Sequence, residues 1–308
     1  EDEVLVEKPV PEDQQAQDET NSIQRDEEGG KGVAPEFGHK IRELRRQYNL
    51  LVEDYPVNLG KAISKKQRER ERLKDPVLAY GEITFDLIGL SLRTIREDYD
   101  GLLEGDQVFY DLGSGVGKAV FATLLLHTWK RCVGVEVLSG LYDASLELAD
   151  RWRKMQDSID DDVYSAEQKR TELQFLCENF SRKEFSMEDA TLGFANSTCF
   201  DENLMIQIAA KADQMREGTF FITATKRLPS LSWELLERDK YKMSWGEAEV
   251  FLHRKKPDDW QEAQLRAEEN KKAEEEEELE RVRKEAEEAE NEDEDLLKPS
   301  DGIEFPPQ

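Results

Sequence analysis

Apolar residues along this chain fall into short continuous runs, separated by longer stretches where they recur every three or four positions. Val108, Phe109 and Tyr110 form one such run. It reads as a strand covered on both faces, since a half-exposed strand would alternate with polar residues. A glycine-rich turn from Asp111 to Gly117 follows, and residues 118–129 continue as a mostly apolar helix. Residues 131–137 are expected to form the next strand, and residues 173–178, 190–195, 218–225 and 249–253 read as four more. Helices are expected over 85–96, with Leu87, Ile88, Leu92 and Ile95 as the apolar stripe, over 139–157, and around 202–215. Residues 158–172 are polar and read as a frayed extension of the second of these. Strands alternating with helices predict an α/β chain with a mostly parallel, doubly wound sheet and ligands beyond the strand C-termini.

The flanks follow other patterns. Residues 1–36 are polar, acidic and poor in aromatics, and are expected to be disordered. Residues 37–75 form a helical arm whose second part, 61–74, carries seven bases against two acids. That run is read first as a solvated helix face with i,i+4 pairs, and second as a surface for nucleic acid or another acidic partner. Residues 76–256 hold the α/β domain. From Pro257 the pattern changes again: residues 258–290 are rich in Glu, Lys, Arg and Ala without an apolar a/d seam, which predicts a solvated single helix. Residues 291–308 are expected to be disordered.

Charge sharpens this division. The net −27 is carried mainly by the ends, with −9 in residues 1–36 and −14 in 257–308, while 37–256 holds only −4. The acidic tail is read first as solubilising, and second as an arm that meets basic proteins. Three cysteines (Cys132, Cys177, Cys199) and three histidines show no metal-ligand spacing, so no metal is expected. Each cysteine lies in or beside an apolar segment, which predicts buried free thiols and a reducing compartment. No apolar run approaches the roughly 18 residues of a membrane span. The chain does not begin with Met and is read as processed or as a piece of a longer protein.

Candidate chemistry gathers at the strand ends. Asp111 closes the first strand, Glu136 the second, Asn179 and Phe180 follow the third, and Asn196 the fourth. Gly113, Ser114, Gly115, Gly117 and Lys118 form the intervening turn. The dinucleotide fingerprint needs Gly or Ala where Lys118 stands, and Asp111 would repel a pyrophosphate. A ligand with a cationic amino group and a ribose fits better: Asp111 for the amino-acid head and Glu136 for the ribose hydroxyls. That combination suits S-adenosylmethionine. Asn179 is expected to bond the adenine amino group through its side-chain oxygen, and Phe180 to stack on the purine. A nicotinamide dehydrogenase and a non-catalytic binding module for basic proteins remain the competing readings.

Residues 80–254 resemble the disruptor-of-telomeric-silencing (Dot-one) family, histone-lysine methyltransferases with a class I methyltransferase, Rossmann-like fold. The resemblance rests on Tyr80-Gly81-Glu82 with Phe85-Asp86-Leu87, then on residues 108–118 and Gly134-Val135-Glu136. Phe194-Ala195-Asn196 with Phe200, residues 215–218, and Ser244-Trp245 complete it. It implies that Tyr80 and Glu82 close over the cofactor, that Asp111, Gly113 and Glu136 bind it, and that Asn196 lies by the methyl-transfer centre. It also implies a protein-lysine substrate, such as a core histone or nucleosome, and a nuclear site of action. The chain is expected to be a monomer. The chain departs from the family at Ile83 for Thr, at Asn196-Ser197-Thr198 for N-N-F, at Asn179 for an acid, and at Val250-Phe251 for a tyrosine pair. No general base is assigned.

Overall fold

The computed structural model describes residues 35–103, 105–243 and 246–296. The disorder expected at either end therefore falls outside the described residues over 1–34 and 297–308, as does the Ser244-Trp245 pair.

A seven-stranded sheet organises the domain. Its strands are β1 (Val108–Leu112), β2 (Arg131–Glu136), β3 (Glu172–Cys177), β4 (Leu192–Ala195), β5 (Phe220–Ala224), β6 (Trp233–Met243) and β7 (Gly246–Lys255). The order is β3-β2-β1-β4-β5-β7-β6. The first five strands pair in parallel, and β7 pairs antiparallel with β5 and with β6. This is the class I methyltransferase arrangement. All five residues of β1 are buried. Side chains alternate between two apolar layers: Phe109, Cys132 and Phe194 enter one, while Tyr110, Val133 and Ala195 enter the other.

Helices cover both faces. Those of the described chain are α1 (Pro35–Val52), α2 (Val57–Glu71), α3 (Phe85–Glu97), α4 (Lys118–Leu126), α5 (Ser139–Met155), α6 (Glu202–Ala212) and α7 (Trp260–Leu296). Thr84 caps α3 by accepting from the Leu87 N–H at 3.3 Å, and Asp201 caps α6 by accepting from Leu204 N–H at 2.7 Å. The N-terminal arm is part of the core, because Leu44 and Leu51 of α1 are fully buried and Tyr48 packs against Phe85 at 5.0 Å between ring centroids. No helix among the described residues is long and apolar enough to cross a membrane.

Four expectations need correction. β6 was not foreseen, because Trp233–Met243 carries charges on its open face and sits at a sheet edge where only one side needs apolar cover. Residues 158–172 are not an extension of α5. They form an ordered loop in which Tyr164 is fully buried against Trp152, and Gln168 Nε2 donates to the Leu125 carbonyl at 3.1 Å. The charged C-terminal helix runs to Leu296, so residues 291–296 are helical. The thiols are free, but only Cys132 is buried; Cys177 ends the edge strand β3 and is exposed, and Cys199 is half-buried.

Candidate cofactor site

The first strand turns back at the point where the order reverses between β1 and β4, and this opens a crevice beyond their C-terminal ends. Gly113 (φ +84°), Gly115 (φ +56°) and Gly117 (φ +89°) take the turn in the left-handed region that L side chains avoid. A Cβ on Gly115 would also come within 2.6 Å of the Tyr80 ring.

The turn is tied to β2 by its own backbone. Gly113 and Ser114 N–H groups both donate to the Val135 carbonyl, at 2.9 and 3.0 Å. Gly115 N–H donates to Glu136 Oε2 and Leu138 N–H to Glu136 Oε1, both at 2.8 Å. Burial pushes the Glu136 carboxyl up, opposed by the N–H groups of Leu138, Gly115 and Val137. Asp111 is only 2% exposed. Burial, with the Glu136 charge nearby, drives its carboxyl well above the usual range, and no hydrogen bond or cation among the described residues offsets this. Ser114 Oγ is likewise buried without a partner. Two buried carboxylates and an orphaned hydroxyl are a poor arrangement for an empty protein interior and a good one for a cationic, hydroxylated ligand.

A cavity of about 500 Å³ occupies the crevice. Its walls include Tyr80, Gly113, Gly115, Glu136, Asn179, Phe180 and Asn196 among the expected residues. Asp111, Ser114, Glu82 and Lys118 line a small adjoining hollow that shares Tyr80, Gly113, Gly115 and Asn196 with it. Gly117 lines neither. A Cβ there would meet Phe175 at 2.6 Å, so its smallness serves helix–sheet packing.

Tyr80, Glu82 and Lys118 are joined. Tyr80 Oη donates to Glu82 Oε1 at 2.6 Å, and Lys118 Nζ donates to Glu82 Oε2 at 2.6 Å, with side-chain exposures of 11% for Lys118 and 6% for Glu82. Burial and then the Glu82 charge raise the Tyr80 phenol well above its ordinary value, so it stays protonated as a donor. The segment before α3 is thus fastened to the first turn of α4, across the mouth of the crevice.

Asn179 departs in detail from its expected use. Its Oδ1 accepts the Ser181 N–H at 2.9 Å in a local turn, leaving one lone pair of that oxygen for a ligand. Phe180 is nearly buried and meets Phe200 at 6.2 Å between centroids. Asn196 Nδ2 donates to the Gly81 carbonyl at 3.2 Å, and Thr198 Oγ1 donates to Asn196 Oδ1 at 2.9 Å.

The positions that depart from the family pattern separate into two kinds. Ile83 and Phe251 are buried, and Ser197 is fully buried with its hydroxyl donating to the Ala224 carbonyl. Thr198 and Asn179 line the cavity, and Ile83 borders the adjoining hollow.

Sequence reasoning missed the contribution of the arm. Lys61, Asp75, Val77 and Leu78 form part of the cavity wall. Ser64 Oγ of α2 donates to the Leu78 carbonyl at 3.0 Å, and Gln67 Oε1 accepts Gly140 N–H at 2.8 Å. Lys65, Lys66 and Arg70 lie exposed on α2, away from buried Gly60, Ser64 and Gln67, while Arg68 is half-buried and Arg72 and Lys74 follow the helix. Only a pairing of small or amide residues with a distant loop signals that contact, and no local pattern reveals it.

The family model for the histone methylation protein DOT1 matches residues 75–249. The chain belongs to the DOT1 family. Two relatives share the description "Histone-lysine N-methyltransferase, H3 lysine-79 specific". The one from Dictyostelium discoideum is 27% identical over 218 residues, covering 66% of this chain and 11% of the relative. The one from Caenorhabditis elegans is 31% identical over 132 residues, covering 42% of this chain and 13% of the relative. The chain therefore spans about a tenth of the length of these DOT1 relatives. Among solved structures, TrmN from Thermus thermophilus matches with a TM-score of 0.42 at 14% identity, over 61% of this chain and 53% of that one. DOT1 membership implies S-adenosylmethionine as cofactor, and the residues fit it: Glu136 for ribose hydroxyls, Asp111 for an ammonium, Phe180 for a purine face.

Proposed function

We propose that this chain is an S-adenosylmethionine-dependent protein-lysine methyltransferase acting on a core histone, most naturally within the nucleosome. The observation that carries the reading is the pair of buried carboxylates, Asp111 and Glu136, at the switch point of a DOT1-family domain. The cofactor supplies a methyl group already activated by its sulfonium charge.

The chain's own residues then bind, orient and exclude water. Glu136 is held by two backbone N–H groups with its carboxylate turned to the cavity, suited to a pair of vicinal hydroxyls. Asp111, unneutralised by any neighbour among the described residues, gains a counter-ion from an amino-acid head. Tyr80, locked by Glu82 and Lys118, covers the glycine turn and keeps solvent away. Positioning and desolvation are enough for an in-line displacement by a neutral amine, so no side chain is assigned as a general base.

The basic face of α2 is proposed to meet nucleic-acid phosphate through Lys61, Lys65, Lys66 and Arg70, all exposed. We read the chain as a monomer that works in the nucleus, on chromatin. Calorimetric titration with S-adenosylmethionine and its demethylated product, followed by radiolabel transfer to nucleosomes, tests the proposal. Micromolar binding with labelled histone supports it. Absence of binding to either ligand overturns it and favours a module that captures basic proteins.

A further inference from the structure

We propose that Thr225 is a positioning residue for the acceptor amine, orienting it through one N–H; the proposal rests on the methyl-transfer reading above. The directions of three linked hydrogen bonds carry it. The Gly81 carbonyl only accepts, so the Asn196 group facing it at 3.2 Å is the Nδ2 donor, and Asn196 Oδ1 faces Thr198. Thr198 Oγ1 donates to that oxygen at 2.9 Å. A hydroxyl has a single proton, and that of Thr198 is committed. In the 2.8 Å contact between Thr198 Oγ1 and Thr225 Oγ1, Thr225 is therefore the donor. Its proton is committed as well, and its two lone pairs are the open accepting end of the chain. Thr198 lies in the cavity wall beside Asn196, and Thr225 carries the chain out to solvent.

The backbone at this end is independently unusual. Thr225 has φ +73°, in the left-handed region where a β-branched residue is strained. It sits directly after β5, the neighbour of β4 at the crevice, and its N–H is held by the Glu249 carbonyl at 2.6 Å. The next residue does not compete for the acceptor, since Lys226 Nζ donates to the Phe200 carbonyl.

Chemistry supplies the use. In the transfer, the lone pair of the neutral amine forms the new N–C bond while the C–S bond breaks and its electron pair stays on sulfur. The ammonium so formed then releases a proton to solvent. An unmodified neutral lysine has two N–H groups, a monomethylated one has one, and a dimethylated one has none. An N–H donated to Thr225 Oγ1 fixes the direction of the lone pair, and this help is absent once the amine is dimethylated.

The test uses the full chain with labelled S-adenosylmethionine and two probes, unmodified core histones and reductively dimethylated core histones. Thr225→Val keeps the shape and removes the hydroxyl, and Thr225→Ser keeps the hydroxyl. We expect Thr225→Val to lower kcat on unmodified histones about tenfold. Its cofactor affinity and any transfer to dimethylated histones should stay within about twofold of wild type, and Thr225→Ser should restore the rate. Thr225→Ala beside Thr225→Ser repeats the comparison without a second β-branched side chain, should the Val variant fold poorly. Loss below twofold in both hydroxyl-free variants, or equal loss in Ser, overturns the role of Thr225. A wild-type chain that binds cofactor but labels neither probe overturns the methyl-transfer reading itself.

Discussion

The backbone N–H of Gly115 donates to Glu136 Oε2 at 2.8 Å, so the glycine turn and the acid of the next strand form one unit. Each is the other's support: the carboxylate satisfies an N–H that the turn leaves without a helical partner, and the N–H holds the carboxylate in one orientation. A second N–H, from Leu138, fixes the other oxygen.

Replacing Glu136 therefore disturbs more than a ligand contact. Glu136→Ala strands both N–H groups in a buried setting and is expected to cost about 1–3 kcal/mol of folding stability. Cofactor affinity should fall by at least about 100-fold. Glu136→Gln keeps one acceptor oxygen and should recover part of the stability while binding stays weak. Urea denaturation beside calorimetric titration separates the two effects.

Asp111 presents the opposite balance. Its carboxyl has a raised pKa because it is buried without compensation and lies near Glu136. In the ligand-free chain the folded state holds this proton to higher pH than the unfolded state, so above the ordinary carboxyl pKa of 3.8 the group lowers stability as pH rises. Asp111→Asn should raise the apo stability by about 1–3 kcal/mol near pH 7 and abolish cofactor binding. Thermal melts at pH 5 and 8 check the sign: the gain from Asn should be larger at the higher pH. Equal gains would refute the titration of Asp111.

The Glu82–Lys118 pair is nearly buried, and Tyr80 shares the same carboxylate. Lys118→Met removes the cation while keeping much of the side-chain length, and takes the Lys118 ammonium away from Glu82. The expected loss is about 3–5 kcal/mol, because breaking one side of a buried ion pair exposes the full desolvation cost of the other. The double variant Glu82→Gln with Lys118→Met should regain most of it. Equilibrium unfolding of the Lys118→Met and Glu82→Gln single variants beside the double variant measures the coupling, and additive losses would show that the two side chains act separately.

The helix α7 projects a solvated surface, with Leu265, Leu279 and Val282 all exposed. Its link to the domain is local: Lys256 Nζ lies 3.9 Å from the Trp260 ring centroid. A chain ended after Glu262 should melt within about 2 °C of the full chain, as expected when no core contact is lost. Binding to core histones by that truncated chain would separate the role of the acidic tail from that of the domain.

The core βαβ unit was legible in the sequence because a parallel strand buried on both faces reads as a continuous apolar run, as Val108, Phe109 and Tyr110 of β1 do before the acid at its end. The glycines were legible because a tight turn that needs positive φ strongly favours glycine. Glu136 and Asn196 could be found by their positions at strand ends. The strand β6 was not legible, since an edge strand with charges on one face lacks that signature. Tyr164 and Gln168 were hidden in a polar stretch because, with Ile159, three buried side chains are enough to order a loop and too few to set a period.

The sequence by itself determined the sheet class, the turn and the acids at its edge, since local sterics and burial act within a few residues of one another. Only the tertiary structure decided that Lys61 of the arm lines the cavity, with Ser64 and Gln67 holding the arm to Leu78 and Gly140, and that Tyr80 shares Glu82 with Lys118. It alone also joined Thr225 to Asn196 through Thr198. The deciding contacts link Lys118 with Glu82, Gln67 with Gly140 and Thr198 with Thr225, each tens of positions apart, and a hydrogen bond depends on where two groups meet in space, which no local pattern encodes.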